Sequence, residues 1–173
     1  MVDVVLVMPL AAYGPAGRFV VRVEDHDVEI PQRIYNPEPP SDTAHLASDR
    51  RHVLACLYTR HHDGYVRQRH LSEVIYLTHS WVAPFVVQLI GEYVVEIVLD
   101  IQKGLTDLEV AGSAQRAQYG AFVAANPGFL DVTYQRVVSY WNCYYRHRYP
   151  KLSDYPGSAL ISSLRAAAEE PDK

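Results

Sequence analysis

Residues 83–104 read APFVVQLIGEYVVEIVLDIQKG, and the reading of this stretch decides the fold. Between Phe85 and Ile101 it is apolar on nearly every side, except that Gln88, Glu92, Glu96 and Asp100 recur at every fourth position. At 3.6 residues per turn these four fall on one slowly drifting stripe. A helix apolar around most of its circumference has to be buried around most of it. The spacing therefore predicts one helix from just after Trp81 to about Lys103, with Pro84 in its first turn and Gly104 ending it. It would be the central helix of a bundle, with only the acidic stripe reaching water or a basic neighbour. Like charges at this spacing repel by roughly a few tenths of a kcal/mol per pair. Arg60, Arg67 and Arg69 are the candidates to offset that repulsion.

Working outward, the pattern on both sides is helical. Val53, Leu54, Cys56 and Leu57 give one apolar face of a first helix, from Asp49 to near His62. Asp63 is placed to cap a second, whose buried side is Val66, Leu71, Val74, Ile75 and Leu77. Beyond Gly112 a fourth helix runs from Ser113 to Ala125 and is stopped by Asn126, Pro127 and Gly128. A fifth, from about Phe129 to Arg148, carries Leu130, Tyr134, Val137, Val138, Trp141 and Tyr145 on one face. A last helix, Ser158 to Ala168, precedes a charged tail at 169–173, expected to fray. Residues 1–40 differ in kind. Val4 to Val7 is a β-branched run, Gly14, Pro15 and Gly17 mark a turn, and Phe19, Val21 and Val23 alternate with charged residues. Asp25 to Asp27 is read as the turn into a second strand through Val28 and Ile30. The prolines of NPEPPSD at 36–42 then form a stiff connector. The fold class is mainly α: an irregular helical bundle at 41–168 with a small N-terminal β-hairpin or meander at 1–40 packed on the same domain.

The chain has 173 residues, 49% apolar content and 21% charged content. That fits one globular domain and excludes a disordered chain. The net charge of −4 conceals alternating blocks. Residues 49–79 carry five arginines and five of the eight histidines, 80–112 sum to −4, and 113–151 to +4. Cys56 and Cys143 lie inside apolar helical patterns and read as buried, reduced thiols. The apolar first twelve residues lack a basic leader and contain Asp3 and Pro9, which argues against a secretion signal. No run of 18 apolar residues occurs. A cytoplasmic location away from membranes is the resulting expectation.

One segment, HVLACLYTRHHDGYVRQRHLSEVI at residues 52–75, resembles a HEAT-type helical repeat: an apolar helix, a short turn with DGYVR, and a second helix with Leu five residues beyond Val. The resemblance implies structural roles only. Asp63 would cap the second helix, Val66 would pack between the two, and Arg67 would make polar contacts between repeats. A HEAT-like helical array is thus the alternative architecture. The same turn holds His62 and Asp63, a pair loosely similar to that of HD-type metal-dependent phosphohydrolases, in which His and Asp from several helices hold metals that activate water. His45 or His52 before it, and Asp100, Asp107 or Asp131 after it, would complete such a site.

The sequence contains no HExxH, paired CxxC, GxxxxGK, GxGxxG or GxSxG motif. No cofactor and no catalytic residue is therefore assigned. The remaining signal is aromatic and basic. Tyr140, Trp141, Tyr144, Tyr145 and Tyr149 are interleaved with Arg146, His147, Arg148 and Lys151, the mixture of protein-binding hot spots and of base-stacking surfaces. The acidic total charge weighs against nucleic acid. The leading expectation is a non-enzymatic protein-binding module of adaptor, immunity or assembly type that engages another protein or itself, with Tyr140, Trp141, Tyr144, Arg146 and Arg148 as binding residues. The alternatives are the phosphohydrolase and single-stranded nucleic-acid binding.

Overall fold

The computed structural model describes residues 17–38 and 46–169. Val4 to Val7, the turn at Gly14 and Pro15, His45 and the last residues of the tail lie outside them. The described chain is mainly helical, with a small antiparallel hairpin at its N-terminal side. Strands β1 (Arg18–Val23) and β2 (His26–Pro31) pair in the register Phe19 to Ile30 and Val21 to Val28. Among the described residues seven α-helices follow: α1 (Ser48–Tyr58), α2 (Gly64–Val74), α3 (Ala83–Ile90), α4 (Val95–Gly104), α5 (Ala114–Ala125), α6 (Pro127–Tyr140) and α7 (Pro156–Ala168).

Alternation in β1 buries Val21 and Val23 against the helices and leaves Val20 exposed. The hairpin turns one residue earlier than its sequence suggests, through Glu24 and Asp25, with Glu24 at φ 53°. Asn126 docks this hairpin. Its Oδ1 accepts the Arg22 backbone N–H at 2.7 Å and its Nδ2 donates to the Arg22 carbonyl at 2.7 Å. One side-chain amide thus replaces a neighbouring strand, satisfying backbone groups on the β1 edge. Phe19 stacks on Phe129, 5.3 Å between centroids, directly beside it.

The expected central helix is two helices. All of α3 is buried, but the chain leaves the helix at Gly91 and re-enters it only after Val94, which is extended at φ −86° and ψ 101°. A side chain at Gly91 would meet the Thr133 methyl at 3.3 Å and Arg136 at 3.4 Å. Helix α6 crosses there, and glycine is the poorest helix former after proline. An unbroken apolar helix over 85–101 would span about 25 Å and need burial along its whole length. The break gives two short helices that the other elements can surround. It also divides the acidic stripe: Gln88 and Glu92 are buried, Asp100 is half-buried and Glu96 is exposed.

The main core runs from the hairpin through α3, α4, α5 and α7. Helices α5 and α7 pack so closely that a Cβ on Gly120 would lie 2.5 Å from the Ala167 carbonyl oxygen. A second, smaller core joins Ile34, Leu54, Tyr58 and Val66 between α1 and α2. Beside it, Ile34 forms a parallel bridge with His61. The Ile34 N–H donates to the Arg60 carbonyl at 2.9 Å, and the His62 N–H to the Ile34 carbonyl at 3.0 Å. Among the described residues no helix is long and apolar enough to cross a membrane.

Candidate functional site

The Ile34 bridge aligns the segment after the hairpin with the turn between α1 and α2, and so sets Arg33 beside Arg60. Helix α2 contributes Arg67, and the break between α3 and α4 contributes Glu92. Around that carboxylate three guanidinium groups converge. Arg33 Nη2 lies 2.5 Å from Glu92 Oε2, Arg60 Nη2 lies 3.4 Å from Oε1, and Arg67 Nη2 lies 3.8 Å from Oε2. Arg60 and Arg67 are each only 1% exposed and Glu92 5%. Burial alone would raise the Glu92 pKa, but the hydrogen bond from Arg33 and the charges of Arg33, Arg60 and Arg67 hold it below its ordinary value. Burial likewise pushes Arg60 down to about 10, and Arg33 and Arg67 add repulsion against the attraction of Glu92.

Three cations against one anion leave this centre with two surplus positive charges, and its donors are under-used. Arg67 Nη1 donates to the His61 and His62 carbonyls, both at 2.9 Å, and Arg60 Nη2 to the Gln32 carbonyl at 2.8 Å. Arg60 Nε and Nη1 and Arg67 Nε are buried with no hydrogen-bond partner among the described residues. Each buried donor left without a partner costs about 1–3 kcal/mol. Unused donors on a buried cation are where an anion or an ordered water finds partners. Arg33, Arg60, Gln88, Glu92, Arg136 and Tyr140 line a cavity of about 200 Å³ at this point. A larger cavity of about 470 Å³ lies between the hairpin and α5. Its rim charges Arg22 and Glu24 are already engaged with Asp27 and Ser80.

The aromatic and basic helix end is divided by a π-helical turn at Trp141–Tyr145 that follows α6. Extra residues in a helical turn rotate the flanking side chains apart. Trp141 turns inward, is half-buried, and donates Nε1–H to the Tyr149 carbonyl at 2.8 Å. Tyr145 stacks on the buried Tyr155 at 5.6 Å and donates its hydroxyl to the Tyr93 carbonyl at 2.5 Å. Tyr144 is exposed and meets the Tyr145 ring edge-on at 6.4 Å, and Tyr140 is half-buried. Tyr140 lies 6.2 Å from Tyr93 and 6.2 Å from Tyr144, centroid to centroid. Tyr93 is 50% and Tyr144 58% exposed. The three form an aromatic row whose middle ring, Tyr140, lines the arginine cavity. Arg146 lies over the Trp141 ring at 5.4 Å and Arg148 over Tyr149 at 5.4 Å, both exposed.

Of the residues singled out from the sequence, Asp63 caps α2 by accepting the Tyr65 N–H at 2.8 Å, and Val66 is buried in the smaller core. His62 stacks on Tyr35 at 5.2 Å. His61 is occupied at both ring nitrogens, by the Asn36 carbonyl and the Asp63 N–H. Among the described residues, the His, Cys, Asp and Glu side chains that assemble as a possible metal group are Asp49, His52 and His79, not His62 and Asp63. Cys56 is fully buried, whereas Cys143 is exposed on the π-turn, a correction to its expected burial. Arg69 pairs with Glu38 rather than with the acidic stripe. Arg33 and Arg136 were not singled out. The available signal was Glu92 itself, since an acid inside an apolar helix implies buried cations nearby. No protein-family model, curated protein or solved structure matches this chain.

Proposed function

We propose that the protein is a non-enzymatic binding module that engages an acidic segment of another protein. The observation that carries this reading is the arginine-walled cavity opening beside the Tyr93, Tyr140 and Tyr144 row. Tyrosine supplies rigid contact area with little entropy to lose, and it is enriched with arginine at the centres of interfaces. A carboxylate side chain entering the cavity would supply acceptors for the idle Arg60 donors and balance the surplus charge. The exposed Arg146 and Arg148 lie on the same helix end and favour approach of an acidic partner.

The test is fluorescence anisotropy with labelled Glu- and Asp-rich dodecapeptides, Lys-rich peptides of equal length, and a single-stranded oligonucleotide. Acidic peptides are expected to bind best. Tyr144→Ala, at an exposed position, is expected to weaken them on the order of 30-fold, as a 2 kcal/mol hot spot would. Equal binding of acidic and basic peptides, tighter binding of the oligonucleotide, or an unchanged affinity in Tyr144→Ala overturns the proposal.

A further inference from the structure

We infer that Asp49, His52 and His79 form a binding site for a divalent transition-metal ion of the zinc, cobalt or nickel class, away from the arginine cavity. Asp49 and His52 stand one turn apart on α1, and His79 comes from the connector between α2 and α3. Their ligating atoms all lie within 4.8 Å of one another. Metal–ligand bonds of about 2.0–2.1 Å in a tetrahedral shell place ligand atoms about 3.3 Å apart. Rotation of the exposed Asp49 and His79 side chains closes the difference. Two imidazoles and one carboxylate favour zinc and its first-row neighbours over magnesium or calcium, which prefer all-oxygen shells.

An independent observation points to a missing partner. The His52 Nδ1 atom is buried and has no hydrogen-bond partner among the described residues, and buried ring nitrogens are normally satisfied. His79 lies beside His52, 6.4 Å between ring centroids. Its ring stacks on Trp81 at 5.1 Å with 9° between planes, and its carbonyl accepts from Gln118 Nε2 at 2.7 Å and from the Val82 N–H at 2.9 Å. A bound ion would tie the start of α1 to the connector ahead of α3, joining segments otherwise linked through the α1–α2 hairpin. Three protein ligands leave at least one position for water.

The experiment uses the full chain without a histidine tag. Zn(II) titration followed by calorimetry is expected to give one saturable equivalent and to raise the thermal midpoint by about 5 °C or more. Ni(II), a paramagnetic ion, is expected to quench the fluorescence of Trp81, and Trp81→Phe should abolish that component. His79→Ala and Asp49→Asn, both at exposed positions that leave the fold intact, are expected to weaken binding by about tenfold or more. His147→Ala, an exposed histidine elsewhere, should leave it unchanged. No saturable uptake, or uptake that survives both His79→Ala and Asp49→Asn, overturns the inference. Acidic-peptide binding by those same variants separates this site from the proposed function, since neither residue lies at the arginine cavity.

Discussion

At the scale of the residue, Glu92 shows how one charge organises its surroundings. It holds Arg33, Arg60 and Arg67 at the junction of four chain segments. Removing one member of a buried ionic group leaves the others uncompensated, at a cost of about 3–5 kcal/mol. Glu92→Gln keeps the shape and deletes the charge, so urea denaturation is expected to show a loss of that order. A loss below 1 kcal/mol would mean that the three arginines are balanced by something else. The thiols differ in the same local sense. Burial pushes the Cys56 thiol far up, whereas Cys143 is exposed, and the thiolate is the reactive form. A thiol reagent is expected to titrate Cys143 alone in the folded protein and both cysteines after denaturation.

At the scale of the element, starts and stops were readable because they rest on local chemistry. Asp63 and Ser113 accept N–H groups of the helices they precede, and Asn126 with Pro127 separates α5 from α6. The break at Gly91 carried only a weak local signal, the glycine itself, and the close approach of Thr133 and Arg136 from a helix far along the chain lies beyond local reading. The helical period had already set Trp141 and Tyr145 on the apolar face and Tyr144 off it, and Trp141 and Tyr145 both stand against the core; the π-turn itself carried no local signal. Arg33 escaped notice because a two-bond bridge between irregular segments places it. Asn126 Nδ2 also donates to the Phe122 carbonyl at 2.8 Å in the last turn of α5, so Asn126→Ala uncaps that helix end and strips the β1 edge of its partner. Hydrogen exchange is expected to quicken in the hairpin amides well before the α1–α2 pair is affected. Uniform acceleration would show that the hairpin is held by its apolar face alone.

At the scale of the whole molecule, His61 and two carboxylates, Glu92 and Glu38, make stability depend on acidity in the same direction. Burial, with added repulsion from His62, lowers the His61 pKa from 6.5. Its neutral form is therefore favoured by folding, and its contribution is present above about pH 6.5 and is lost as pH falls below that value. Glu92 is also lowered, so its contribution is present above its unfolded value of about 4.3 and disappears as pH falls through its folded value. Stability is expected to decline on acidification in two windows, one below about pH 6.5 and a deeper one below about pH 4.5. Glu92→Gln should shrink the deeper window to the share of Glu38, whose carboxyl the Arg69 hydrogen bond holds below its ordinary value, and spare the other.

The pairing of Arg22 with Asn126 spans 104 positions of the chain. Ribosomes extend a chain at about 5–20 residues per second, so the hairpin waits roughly 5–20 s for its amide partner to be made. A lone two-stranded hairpin is marginally stable in water, and an unpaired strand edge invites other strands. During biosynthesis the earliest described segment is therefore among the last to lock, and its edge is the part of the nascent chain that a chaperone has most reason to shield.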